Sequence, residues 1–354
     1  MSELGRMLQD LIHRLFGEAC TSAVRTAVER GEWCERLWHR SEEAGLTLAA
    51  VPELLDGAGA PLAEAAFALR SLGYHAVPIP LAETIVGNWL LGVAGIAPPK
   101  GPLSIVSGQS GPIRMVDTGS TRTLSGTAGN VPWGRAVHHV VAVVQAEEGK
   151  QAVVLIPTAD VLIEEGTNLA GEPRDEVVFH GTAVAASQAR FLPDGVAAED
   201  LLLRLGAYCR CQQMAGAMEW ILERCVGYAA ERRQFGRPIG GFQAVQQMMA
   251  VLAGQVGAAV AAAGAALAAP QEKSSGVSIG FAKSRIGAAA GEVAALAHQL
   301  HGAMGYTYEY PLNFRTRRLL AWRDEFGSER FWQIRAGQAI AQRGASLLWH
   351  DLTV

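Results

Sequence analysis

The sequence predicts a mainly α-helical protein with a β region in its middle, and three observations carry that prediction. From Asp200 onward, apolar residues recur every three or four positions over four long stretches, which is the period of helices. Between Leu103 and Leu192, short β-branched runs follow one another with no helical stretch between them, implying an antiparallel barrel or sandwich and not a doubly wound sheet. Before residue 97 the pattern is helical again, broken by glycine and proline turns. The expected order is an N-terminal helical domain over 1–100, a β domain over 101–195 and a C-terminal four-helix bundle over 196–354.

In the first part, Trp33, Leu37 and Trp38 share one amphipathic face, and turns are signalled at Gly45, at Pro52 and across Asp56 to Pro61. Helices are expected at Leu62 to Leu72 and Ala82 to Val93. Gly57 and Gly59 do not make a dinucleotide loop, because no strand precedes them and no third glycine falls in register. The run Ala97 to Pro102 marks the first boundary. Strands are expected at Thr121 to Ser125, Val140 to Val144, Ala152 to Ile156 and Val177 to Phe179.

Pro193-Asp194-Gly195 marks the second boundary. A helix from Asp200 to about Ala230 carries one stripe, Leu203, Ala207, Cys211, Met214, Ala217, Ile221, Cys225 and Tyr228, over roughly 45 Å. The next stripe is Phe242, Val245, Met249, Leu252, Val256 and Ala259, the seam of a near-antiparallel pair. Ser274 or Ser275 caps a third helix with Ala282, Ile286, Ala289, Val293, Leu296 and Leu300 on one side, and Glu329 to about Leu348 supplies the fourth.

At 354 residues the chain is long enough for two or three packed units. A net charge of -4 and a pI near 6.2 argue against a nucleic-acid binder. Cys20, Cys34, Cys209, Cys211 and Cys225 are odd in number with no C-x-x-C pair, so neither a disulfide framework nor a metal site is expected. Charges at Arg6, Asp10 and Arg14 interrupt any leader-like apolar core, and Ala253 to Ala269 reads as too weakly hydrophobic for a membrane span. The expectation is a cytoplasmic protein.

Between the first two bundle helices lies Glu231-Arg232-Arg233-Gln234-Phe235-Gly236-Arg237-Pro238-Ile239, then Phe242-Gln243. Its glycines free the backbone, Pro238 stops a helix, and three arginines offer planar donor forks suited to phosphate. This stretch resembles a hallmark of the acyl-CoA dehydrogenase family, and His298-Gln299-Leu300-His301-Gly302-Ala303-Met304-Gly305-Tyr306-Thr307 resembles a second one. The resemblance implies an acyl-CoA dehydrogenase fold of helical domain, β domain and bundle, with FAD as cofactor. It implies that Arg232, Gln234, Phe235, Gln243, Gln299, Gly302 and Gly305 contact the FAD of an adjacent subunit.

The family pattern is incomplete here. Pro102 to Gly111 lacks the acidic residue expected in the β domain beside the flavin, leaving Ser107 or Ser110 to donate one hydrogen bond. Counting from the second motif puts Phe326 where many members carry the catalytic base, with Glu325 one residue early; counting back from Arg232 puts Gly206 at the alternative position. Glu325 is therefore the candidate base, with Asp324 beside it, and in a water-poor pocket burial is expected to raise its pKa. The resemblance also implies an acyl-CoA substrate oxidised to the trans-2-enoyl-CoA, an electron-transfer flavoprotein as acceptor, and a homo- or hetero-tetramer. The short length and the gaps resemble a branch that pairs two unlike subunits and acts on sterol and bile-acid side chains. A non-catalytic subunit completing a partner's FAD site and a flavin oxidase or monooxygenase are the alternatives.

Overall fold

The computed structural model describes residues 3–107, 111–117, 121–192, 200–266 and 275–344. Ser110, the Pro193–Gly195 boundary, Ser274 and the end of the fourth bundle helix lie outside the described residues. The chain begins with five helices, α1 (Glu3–Ala19), α2 (Ser22–Glu29), α3 (Glu35–Glu43), α4 (Leu62–His75) and α5 (Leu81–Val93). Eight strands follow: β1 (Leu103–Val106), β2 (Arg114–Asp117), β3 (Arg122–Pro132), β4 (His139–Gln145), β5 (Gln151–Pro157), β6 (Leu162–Glu164), β7 (Arg174–Val184) and β8 (Ala189–Phe191). The last part holds α6 (Leu201–Glu231), the two-residue strands β9 (Arg233–Gln234) and β10 (Arg237–Pro238), α7 (Gln243–Ala265), α8 (Ser275–His301), α9 (Asn313–Trp322) and α10 (Glu329–Arg343).

The eight strands form one sheet in the order β6-β7-β3-β2-β4-β5-β8, with β1 joining β4 off this path. The expectation of a wholly antiparallel sheet is corrected, because β1 pairs with β4 in parallel over its whole length and β2 meets β4 in parallel at one position. Strands β4 and β5 are apolar on both faces for a visible reason. Val140, Ala142, Val154 and Ile156 fill the sheet's own core, while Val141, Val153 and Leu155 pack into the helical core. Period-two alternation thus serves two cores at once.

Helix α6 differs from its one-stripe prediction. From Leu201 to Met218 it is buried on every side, charged and polar residues included, and becomes one-sided only afterwards. It is the central rod, packed by α4, α7, α8 and α9, so its first half has no solvent face to leave polar. Where α4 crosses it, Gly73 and Gly216 are required. A Cβ on Gly73 would stand 1.8 Å from the Gln213 carbonyl oxygen, and one on Gly216 1.9 Å from that of Arg70. Arg70 and Glu219 then close the crossing with a two-pronged ion pair.

The expected bundle of four is α6, α7, α8 and α10, and a helix that the sequence reading did not resolve, α9, runs beside α6 and α8. Helix α7 is more apolar over its length than the Ala253–Ala269 window suggested, long and apolar enough by length and composition to cross a membrane. Leu252, Val256, Ala259 and Ala263 bury one face of it, and its opposite face is open.

Helix α1 docks on α4 through an imidazole pair, His13 Nδ1 and His75 Nε2 at 2.8 Å. Burial, then His13, Arg315 and Arg25, push His75 down from 6.5 to about 3. The unfolded chain therefore binds a proton that the fold refuses, so this contribution is complete above pH 6.5 and is lost as pH falls toward 3. Unfolding free energies from urea titration should fall as pH drops between these values, with a slope approaching about 1.4 kcal/mol per pH unit. His75→Gln should flatten that slope.

Candidate functional site

Helix α6 ends at Glu231, and the next residues fold back as a tight hairpin in which Gln234 pairs with Arg237 and Arg233 with Pro238. Phe235 and Gly236 at its tip both have positive φ, 49° and 81°, as a type I′ turn demands. Glycine adopts that conformation freely, whereas Phe235 does so under strain and with its side chain 90% exposed. Arg233 donates to the Gly236 carbonyl at 3.0 Å, and Arg237 lies 4.2 Å from the Phe242 ring centroid. These two arginines hold the corner together. The side chains of Arg232, Gln234 and Gln243 are exposed and have no polar partner among the described residues.

The second motif ends α8. Gly302, φ 61°, turns the chain into a short 3₁₀ segment, and Gly305 lets it pack closely, since a Cβ there would stand 3.1 Å from both His298 and His301. His298 stacks on Tyr306 at 4.1 Å, and His301 stacks on Tyr228 of α6 at 4.3 Å. Burial lowers both imidazole pKa values, so both rings are neutral at pH 7. The Tyr228–His301 stack brings the two motifs to one end of the bundle, with Arg232 one turn beyond Tyr228. Gln299 and Gly302 are exposed there and Gly305 is buried. The exposed Arg232 guanidinium, the exposed amides of Gln234, Gln243 and Gln299 and the open backbone at Gly302 suit an anionic, hydrogen-bonding ligand such as the adenosine and pyrophosphate part of FAD.

Glu325 sits elsewhere, on the loop between α9 and α10, and its surroundings correct the expected rise in pKa. Arg174 of β7 donates to it from Nε at 2.7 Å and from Nη2 at 3.0 Å, Arg210 of α6 donates from Nε at 2.7 Å, and Asn168 donates at 2.9 Å. Burial alone would raise the pKa, but the two guanidiniums outweigh it and hold the carboxyl below its ordinary value. Its side chain is 11% exposed. The same arginines reach further carboxylates: Arg174 pairs with Glu172 at 2.8 Å and Arg210 with Glu83 at 2.7 Å. Arg318 completes Glu172 at 3.0 Å, and the three arginines, against burial, take that carboxyl down to about 2. One buried lattice of charges thus joins α5, β7, α6, α9 and the Glu325 loop. Asp324 is exposed.

The two positions at which a base was sought meet in space. A Cβ on Gly206 would lie 2.2 Å from Cδ1 of Phe326, so the phenyl ring occupies the place of a side chain at 206. Phe326 is buried, with the Arg210 guanidinium 5.4 Å from its ring centroid. Beside it a cavity of about 360 Å³ is lined by Ser107, Asn130, Thr167, Arg174, Glu325 and Phe326, among others.

Sequence reasoning missed Arg174, Arg210, Glu172, Glu83 and the fully buried Lys283 of α8. A signal existed for two of them. Arg210 and Lys283 stand in stretches of small and apolar residues, where a charge must find a buried partner or stay unpaired.

Residues 194–331 match the family described as acyl-CoA dehydrogenase, C-terminal domain. Acyl-CoA dehydrogenase IpdE2 of Mycolicibacterium smegmatis is 26% identical over 329 residues, 90% of this chain and 93% of its own. Acyl-CoA dehydrogenase FadE34 of Mycobacterium tuberculosis is 30% identical over 313 residues, 85% of this chain and 41% of its own. In structure, a chain of the ChsE4-ChsE5 complex from Mycobacterium tuberculosis superposes with a TM-score of 0.87 at 22% identity, covering 98% of this chain and 99% of that one. Residues 194–331, which carry both motifs, thus belong to the acyl-CoA dehydrogenase C-terminal domain family, and two curated acyl-CoA dehydrogenases align over most of this chain.

Proposed function

We propose that this chain is one of two unlike subunits of an FAD-dependent acyl-CoA dehydrogenase, completing a partner's FAD site in trans while the α-proton base stands on the partner. The observation that carries this reading is Phe326 filling the notch at Gly206, with Glu325 turned away into two guanidiniums. A carboxylate whose pKa is held low and whose lone pairs are taken by four donors is a poor proton acceptor. Similarity to a chain of a two-protein complex, ChsE4-ChsE5, and to the Tcur3481-Tcur3483 steroid acyl-CoA dehydrogenase supports a heteromeric assembly and a steroid-linked acyl-CoA as substrate.

Arg232, with Gln234 and Gln243, would bind the pyrophosphate and adenosine of FAD, while Gln299 and Gly302 approach it from the other motif, the buried Gly305 letting that turn pack closely, and Phe235 covers it. Bound FAD supplies the acceptor for the β-hydride of the acyl thioester. In this chain the arginine corner orients the cofactor, and the apolar Phe326 keeps water from the junction of α6 with the α9–α10 loop. An electron-transfer flavoprotein as acceptor, a cytoplasmic setting and a tetramer belong to the same reading.

Flavin content tests it. Produced alone, the chain should be colourless, and co-produced with its paralogous partner the complex should be yellow and should dehydrogenate acyl-CoA. A chain that binds FAD and bleaches it alone would instead make Glu325, which lines the 360 Å³ cavity, the base of a homomeric enzyme. Assembly has its own test on the open face of α7. A Cβ at Gly254 or Gly257 meets nothing within 4 Å in this chain, so Gly257→Leu should leave the fold intact. Light scattering should show the wild-type complex as a tetramer and the Gly257→Leu complex as smaller species.

A further inference from the structure

Lys283 is the one lysine of α8, and its side chain is fully buried. Taking an ammonium out of water is costly unless it is hydrogen-bonded, yet Nζ pairs with no carboxylate among the described residues. It donates instead to two backbone carbonyls, Arg323 at 2.6 Å and Gly327 at 2.9 Å. Those carbonyls bracket Asp324, Glu325 and Phe326. Arg323 also caps the C-terminus of α9, where the helix dipole favours a cation.

The bracketed loop does not hold itself. Phe326 sits at φ 53°, a conformation a bulky residue reaches only when its surroundings enforce it. Gly327 follows at φ 98°. Beyond Lys283, one further side-chain donor among the described residues grips this backbone, the Trp332 indole on the Phe326 carbonyl at 2.9 Å.

We propose that Lys283 is the positioning residue of this loop: by binding both ends of it, the side chain seats the Phe326 ring at Gly206 and delivers Glu325 to Arg174 and Arg210. This rests on the reading that the chain's own acid position is closed, and it names what closes it. Lys283 touches neither substrate nor cofactor and acts through the two residues it presents.

The charge on Lys283 offers a readout that a simple filler would lack. Burial lowers its pKa from 10.5 to about 8, partly offset by Cys211 of α6, Asp324 and Glu325 of the loop and Glu329 of α10, which pairs with Arg323. Below pH 8 an ammonium holds the carbonyls, and above it a neutral amine keeps its N–H donors but loses the charge that strengthens them. The sign for global stability is opposite: a folded pKa below the unfolded one means that stability rises between pH 8 and 10.5. Loop loosening with a globally firmer fold is therefore the signature.

Hydrogen exchange of the full chain, read by mass spectrometry on fragments spanning residues 323–328, tests the proposal. Protection there, corrected for intrinsic rate, should fall about tenfold in Lys283→Met, with β4 and β5 unchanged, and Lys283→Arg should restore most of it. The wild-type loop should lose protection as pH rises from 7 to 9.5, and Lys283→Met should show no such step. If the Met variant does not fold, the wild-type pH profile decides. Equal protection in Lys283→Met, or a flat wild-type profile, overturns the proposal. Neither readout depends on bound FAD, so failure here is distinct from a failure of the subunit reading, which flavin content reports.

Discussion

Glu325→Gln is expected to cost about 3 kcal/mol or more in stability, because removing one partner of a buried ion pair leaves the other uncompensated. Here Arg174 and Arg210 would each lose one of two carboxylate partners, and their remaining bonds to Glu172 and Glu83 keep them from swinging toward water to make up the loss. Urea unfolding measures this directly. The pH dependence has a definite sign: the folded pKa values of Glu172 and Glu325 lie below 4.5, so their contribution is complete above that value and is lost as pH falls toward 2. In the assembled yellow complex, the folded Glu325→Gln protein should still bleach flavin with acyl-CoA at close to the wild-type rate, as should Asp324→Asn. A loss of several orders of magnitude at Glu325 alone would make it the base and sink the division of labour between subunits.

Arg232→Ala should weaken FAD retention by the complex roughly ten- to a hundredfold, on the order of 1.5 to 3 kcal/mol for one charge-assisted phosphate contact. Arg233→Ala and Arg237→Ala should do less. The reason is geometric: Arg233 is spent on the Gly236 carbonyl and Arg237 on the Phe242 ring, so both maintain the hairpin, while the Arg232 guanidinium has no polar partner among the described residues. Fluorescence titration of FAD into the apo-complex distinguishes the three. Equal losses would mean a general positive field, and the assignment of a single contact to Arg232 would fall.

Much of the fold was legible because it follows from local periodicity. The α7 and α8 stripes appear where their three- and four-residue steps placed them, and β4 and β5 carry the β-branched runs that announced them. Helix α9 was not legible. Its Asn313–Trp322 segment is buried at most positions, Arg315 and Arg318 included, so polar residues fall on its buried sides and blur the period. The all-round burial of early α6 escaped for the same reason, since a stripe can be read only against a solvent side.

The two motifs, by contrast, are contiguous strings whose residue types alone propose a chemistry: guanidinium for phosphate, glycine for close backbone. What the chain by itself determined about this protein is therefore the family resemblance of its C-terminal part, its periodic helices and the identity of the exposed corner, all consequences of neighbours in sequence. Tertiary structure alone decided what Glu325 is. Its partners Arg174 and Arg210 lie 151 and 115 residues away in sequence, and its pKa is a sum over charges that no local pattern encodes. Burial and isolation would have raised its pKa; burial among guanidiniums lowers it, and only the packing of β7, α6 and the α9–α10 loop against one another sets which of the two holds.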